Sequence, residues 1–82
     1  MMERLARSPS KVAGSKQVLR ALREGKLVSA YIARNADPFV TRPVASACEK
    51  AGIPVVEVDD MNELGRACGL TVYAASAGIL KG

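Results

Sequence analysis

Lys16, Gln17 and Arg20 place two cations and an amide within five consecutive residues, directly after Gly14 and Ser15. The cations donate hydrogen bonds, and the amide both donates and accepts them. Gln17 and Arg20 are three apart, so on a helix they share a face. A helix starting here would also offer unpaired N–H groups and partial positive charge, which attract phosphate. Such groups can hold a nucleic-acid backbone and read the base edges beside it. Taken alone the motif is weak, because strand-Gly-Ser-helix junctions are common in α/β domains. It is not a nucleotide-binding phosphate loop, since it lacks the earlier glycine and the Gly-Lys-Ser/Thr order.

Apolar spacing and turn residues give the elements that position this motif. Met2 to Arg7 fits a short basic helix ending before Ser8-Pro9, and Val12-Ala13 a brief strand. Ser15 is suited to N-cap a helix running to Glu24, with Val18, Leu19 and Leu22 as the buried stripe and Gly25 as the stop. Leu27 to Ala33 is apolar and rich in β-formers, as expected of a central strand. Asp37-Pro38 supplies a cap and a first-turn proline. Pro43 would break a hydrogen bond inside a helix begun at Pro38. One tight turn over Pro38 to Val40 is therefore expected, then a main helix from about Arg42 to Ala51, closed by Gly52. Pro54 to Val58 forms the next strand. Asp60-Met61-Asn62-Glu63 has capping-box spacing and opens a helix through Leu64 and Ala67 to Cys68, with Gly69 at its end. Tyr73 to Leu80 fits a buried final strand, with helix as the alternative for so many alanines. This alternation predicts an α/β fold: a three-layer α/β/α sandwich around a mixed sheet of about four strands.

Composition narrows the chemistry. The 82 residues, 49% apolar, suffice for one modest core and argue against global disorder. No apolar run approaches a membrane span, and residues 1–13 lack the apolar block of a secretory signal. A cytoplasmic protein without a membrane partner is expected. Histidine is absent, which removes the commonest general base and metal ligand. Two distant cysteines, Cys48 and Cys68, cannot complete a zinc site by themselves and suit buried free thiols in a reducing compartment. No metal, cofactor or catalysis is expected, the remaining enzymatic option being Cys68 as a nucleophile without a base beside it. The net charge of +4 is uneven. Residues 1–26 carry seven cations against Glu3 and Glu24, whereas residues 27–82 carry five cations against six acids. That asymmetry favours a polyanionic partner over a merely solvated helix face.

Several stretches resemble one family. They are Gly14-Ser15-Lys16-Gln17-Val18, Ala36-Asp37-Pro38, Pro43 with Cys48-Glu49-Lys50 and Ile53-Pro54-Val55, and, most specifically, Leu64-Gly65-Arg66-Ala67-Cys68-Gly69-Leu70. In this order they are similar to the ribosomal protein L-seven-Ae / L-thirty-e superfamily, above all its short bacterial ribosomal-protein-like members, from about Lys11 to Leu80. The resemblance implies a single RNA-binding domain over residues 1–82 that recognises kink-turns. In these, a three-nucleotide bulge and sheared G·A pairs bend a duplex sharply. It implies that the glycine-led helix enters the RNA major groove and that the loop after Ala-Cys-Gly covers an extruded base. The implied RNA-binding residues are Gly14, Ser15, Lys16, Gln17 and Arg20, with Leu70, Thr71, Val72 and Tyr73 across the site. The implied partner is a ribosomal or structured regulatory RNA, the ribosome included, bound by a monomer. Wider members generally have Asn-Glu where Lys16-Gln17 stands, many have an acid in place of Thr71, and often a proline in place of Tyr73. Those departures bear on the individual base contacts. On residue character alone, Leu70, Val72 and Tyr73 also fit core or strand-edge positions. Capping explains the carboxylates Asp59, Asp60 and Glu63, and the alternative function is a protein-interaction or scaffold subunit of a ribonucleoprotein without sequence-specific RNA contact, using the acidic face from Glu49 to Glu63.

Overall fold

Helix and strand alternate along the chain in a computed structural model that describes residues 2–82; Met1 lies outside the described residues. The order is α1 (Glu3–Arg7), β1 (Lys11–Ala13), α2 (Ser15–Arg23), β2 (Leu27–Ala33), α3 (Pro38–Lys50), β3 (Val55–Val58), α4 (Met61–Ala67) and β4 (Ser76–Leu80). The strands form one mixed sheet in the order β1-β4-β2-β3. β4 runs antiparallel to both β1 and β2, and β2 pairs in parallel with β3. The first three strands therefore all point the same way. Their C-terminal ends share one sheet edge with the start of β4, as the registers Ala13↔Ala77, Tyr31↔Ala77 and Ala33↔Val58 show.

The mostly apolar β2, with Ser29 buried in it, is covered on both faces by helices. Tyr31 and Ala33 pack with Leu5 of α1 and Leu64 of α4 on one side. Ala30 and Ile32 pack with Val18 and Ala21 of α2 and Val44 and Cys48 of α3 on the other. This is the expected three-layer sandwich. Lys11 holds α1 in place by donating from Nζ to the carbonyls of Leu5 (3.3 Å) and Ala6 (2.9 Å) at that helix's end.

Four local expectations need correction. Ser15 is not the N-cap of α2: Gly14 caps it at φ 99°, and Ser15 is the first helical residue. Glycine alone adopts that φ without strain, so the cap falls one residue early. The buried stripe of α2 is Val18 and Ala21, while Leu19 and Leu22 are half-buried at its margins. Pro38 to Lys50 is one continuous helix despite Pro43. Asp37 caps it by accepting from the Phe39 N–H at 2.9 Å. Pro43 lies on the exposed side, so water can solvate the carbonyl one turn earlier that it leaves unpaired. The final strand starts only at Ser76, with Tyr73 to Ala75 outside it.

Pro43→Ala should restore one α3 hydrogen bond and a better helix former, against a smaller loss from greater freedom of the unfolded chain. The variant is expected to gain about 1–2 kcal/mol in urea unfolding. A lower unfolding midpoint would contradict this account of α3.

Candidate nucleic-acid interface

The start of α2 is fixed to the start of β4. Gly14 donates its N–H to the Ser76 carbonyl at 2.8 Å. One residue on, the Ser15 and Ser76 hydroxyls lie 2.8 Å apart, with Ser76 fully buried. These bonds occupy the Gly14 amide and the Ser15 hydroxyl. The N–H groups of Ser15, Lys16 and Gln17 are those a first helical turn cannot satisfy internally. Gln17 folds back over Gly14, so that a Cβ there would come within 2.6 Å of Gln17 Oε1.

From this start, α2 turns Lys16, Gln17, Arg20 and Arg23 into one shallow depression. All four are exposed. Among the described residues, Lys16, Arg20 and Arg23 make no ion pair, and no acid lines the depression. Two other cations are engaged in ion pairs among the described residues. Lys26 pairs with Glu24 at 3.6 Å, and Arg34 with Glu57 (3.6 Å) and Asp59 (3.3 Å). Arg23 was absent from the sequence-based set. Its only signal was the seven-residue interval from Lys16, two helical turns.

Leu70, Thr71, Val72 and Tyr73 form a loop that returns along α4 toward the same sheet edge. The Ala74 N–H donates to the Met61 carbonyl at 3.0 Å, close to the beginning of α4. Gly65 permits the return, since any Cβ there would overlap the Val72 carbonyl oxygen. The loop is anchored at its far end by Ser76, the residue that holds Gly14 and Ser15. Its side chains are not core: Leu70 is 37% exposed, Val72 65% and Tyr73 63%. Leu70, Thr71 and Val72 line a second depression with Asn62 and Arg66 of α4. The latter two were also absent from the sequence-based set, because their facing the loop depends on its fold-back over Gly65. The two sequence-predicted groups thus meet through Ser76 without sharing a pocket.

Of the three carboxylates expected to act as caps, only Asp60 does so, accepting from the Asn62 N–H at 2.8 Å, whereas Asp59, with Glu57, pairs with Arg34. Both cysteines are free. Burial pushes the Cys48 thiol up. Burial also pushes Cys68 up, with Lys11 partly opposing it, so both favour the neutral thiol over the nucleophilic thiolate. No helix among the described residues is long and apolar enough to cross a membrane.

A sequence model of the ribosomal protein L7Ae/L30e/S12e/Gadd45 family matches residues 2–82. The chain belongs to this family. It is 45% identical over 69 residues to an RNA-binding protein of Caldanaerobacter subterraneus, covering 84% of each chain. It is 38% identical over 79 residues to the RNA-binding protein YbxF of Geobacillus stearothermophilus, covering 96% of each. Among solved structures, the Giardia lamblia 15.5kD RNA binding protein superposes with a TM-score of 0.87 at 32% identity, covering 99% of this chain and 68% of that one. The four-stranded mixed sheet between helical layers is thus the fold of its L7Ae/L30e relatives.

Gly65→Ala should force the loop off α4 and cost about 1–3 kcal/mol. In a domain of this size that lowers Tm by roughly 4–24 °C. Thermal denaturation of the variant checks this, and an unchanged Tm would show that the loop does not rest on Gly65.

Proposed function

We propose that the protein binds RNA without acting on it chemically, and that its target is a kink-turn in ribosomal or structured regulatory RNA, bound by one copy of the chain. The observation that carries this is the acid-free cluster of Lys16, Gln17, Arg20 and Arg23 at the start of α2, held to the same β4 residue as an exposed apolar loop. The relatives' descriptions as RNA-binding proteins support it.

An ordinary A-form major groove is too deep and narrow for side chains to read. A sharp bend opens it and exposes guanine O6 and N7, acceptors that Lys16 and Arg20 match as donors. Phosphates beside the bend suit the same cations and the first-turn amides of α2. Leu70 and Val72 then cover an extruded base, and the exposed Tyr73 ring offers a face on which it can stack. A straight duplex presents no base to that loop. Binding therefore stabilises the bent form, because only that form engages both segments.

Lys16→Ala, Gln17→Ala and Arg20→Ala should each weaken binding to a kink-turn RNA by about 1–3 kcal/mol. If Lys16, Arg20 and Arg23 each neutralise one phosphate, raising salt from about 50 to 200 mM lowers affinity about 20–40-fold. Titration by fluorescence anisotropy measures both. Wild-type affinity in all three variants would remove the site from α2.

A further inference from the structure

The chain's one phenylalanine, Phe39, is 87% exposed in the first turn of α3. It lines a third surface depression with Pro38, Arg42, Pro43 and Ser46, almost wholly apolar apart from one cation. We propose that this outward face of α3 is a stacking platform for an unpaired base of the bound RNA, extending the footprint from α2 onto α3. The inference rests on the RNA-binding proposal and adds to it a second point of base contact, separate from the loop at Leu70 to Tyr73.

Three observations favour RNA as the occupant. First, α2 and α3 start at the same sheet edge and lie side by side on one face, where Val18 packs in one cluster with Val44 and Cys48. Their outward faces therefore adjoin. α2 contributes Lys16, Arg20 and Arg23, and α3 contributes Phe39 beside Arg42. Second, neither depression is lined by an acid, and the one carboxylate next to the platform, Asp37, is engaged in capping α3, so cations outnumber acids on the joined surface as a polyanion requires. Cations flanking an aromatic face are the arrangement that takes phosphate and base together. Third, the ring is presented on a fixed backbone. Pro38 sets φ before it, and the Phe39 N–H is held by Asp37 Oδ1 at 2.9 Å. A pre-set platform loses less conformational freedom on binding than a mobile loop does.

The test is anisotropy titration of a labelled kink-turn RNA against the full chain and its Phe39→Ala, Phe39→Leu and Phe39→Trp variants, with Lys16→Ala as reference. Because Phe39 is exposed, the three Phe39 variants should keep the wild-type Tm. Phe39→Ala is expected to raise Kd about tenfold, and Phe39→Leu to recover little of that loss. Phe39→Trp should bind within about twofold of wild type, with its indole emission quenched by RNA. Full affinity in Phe39→Leu would replace stacking by a plain apolar cover and overturn the platform. If Phe39→Ala binds as wild type while Lys16→Ala is weakened, the platform is overturned, the α2 site stands, and the face is left for a protein partner. If neither Phe39→Ala nor Lys16→Ala weakens binding, the RNA site itself has been misplaced.

Discussion

Gly14 can donate its N–H to the Ser76 carbonyl and still begin a helix only because its φ is 99°, a backbone state that side chains oppose. The Ser15 and Ser76 hydroxyls, 2.8 Å apart in a partly buried setting, complete the junction. Everything at the candidate site hangs from it. α2 must leave the sheet edge with Lys16, Gln17, Arg20 and Arg23 outward, because Val18 and Ala21 are drawn into the core. The loop from Leu70 to Ala75 must end where α2 begins, because Ser76, which follows it at the start of β4, bonds both Gly14 and Ser15. A cationic helix end and a loop of exposed apolar side chains, which the sequence separates by about fifty residues, are brought to one sheet edge.

Three cations outside the depression have partners of their own. Lys11 closes α1, Lys26 pairs beside a turn, and Arg34 is divided between Glu57 and Asp59. The pairs at Lys26 and Arg34 are solvent-exposed and contribute little stability. They nonetheless occupy those charges, whereas Lys16, Arg20 and Arg23 have no acidic neighbour in their depression. A net charge of +4 would give only weak, non-selective attraction. Concentrating unpaired cations beside first-turn amides lets a phosphate meet several donors at once.

Much of the fold could be read in the sequence because local and global signals agree there. The run Leu27–Ala33 has no polar face to leave in water, and it is the central strand. Asp60 caps α4 as its spacing indicates, and Gly69 follows the helix at φ 79°. Pro43 misled because the cost of an interior proline depends on where the orphaned carbonyl points, and exposure is a tertiary property. Ser15 misled for a similar reason: its hydroxyl is claimed by Ser76, 61 residues away, so Gly14 takes the cap. No local pattern marks Ser76 among the small residues of the final strand. Asn62 and Arg66 join the loop only through its fold-back over Gly65. The exposure of Phe39 was equally hidden, since a phenylalanine opening a helix is as consistent with core as with surface.

Recognition of a bend, as proposed above, requires that the α2 cations and the Leu70–Tyr73 loop be touched together, which a straight duplex cannot do. Its most direct test is the dissociation constant for a kink-turn RNA beside that for the same RNA with its sheared G·A pairs replaced by Watson–Crick pairs, at one salt concentration. The bent RNA should bind at least about a thousandfold tighter, at the lower end of the discrimination typical of specific nucleic-acid recognition. Equal affinities would reduce α2 to a generic polycation and contradict the account.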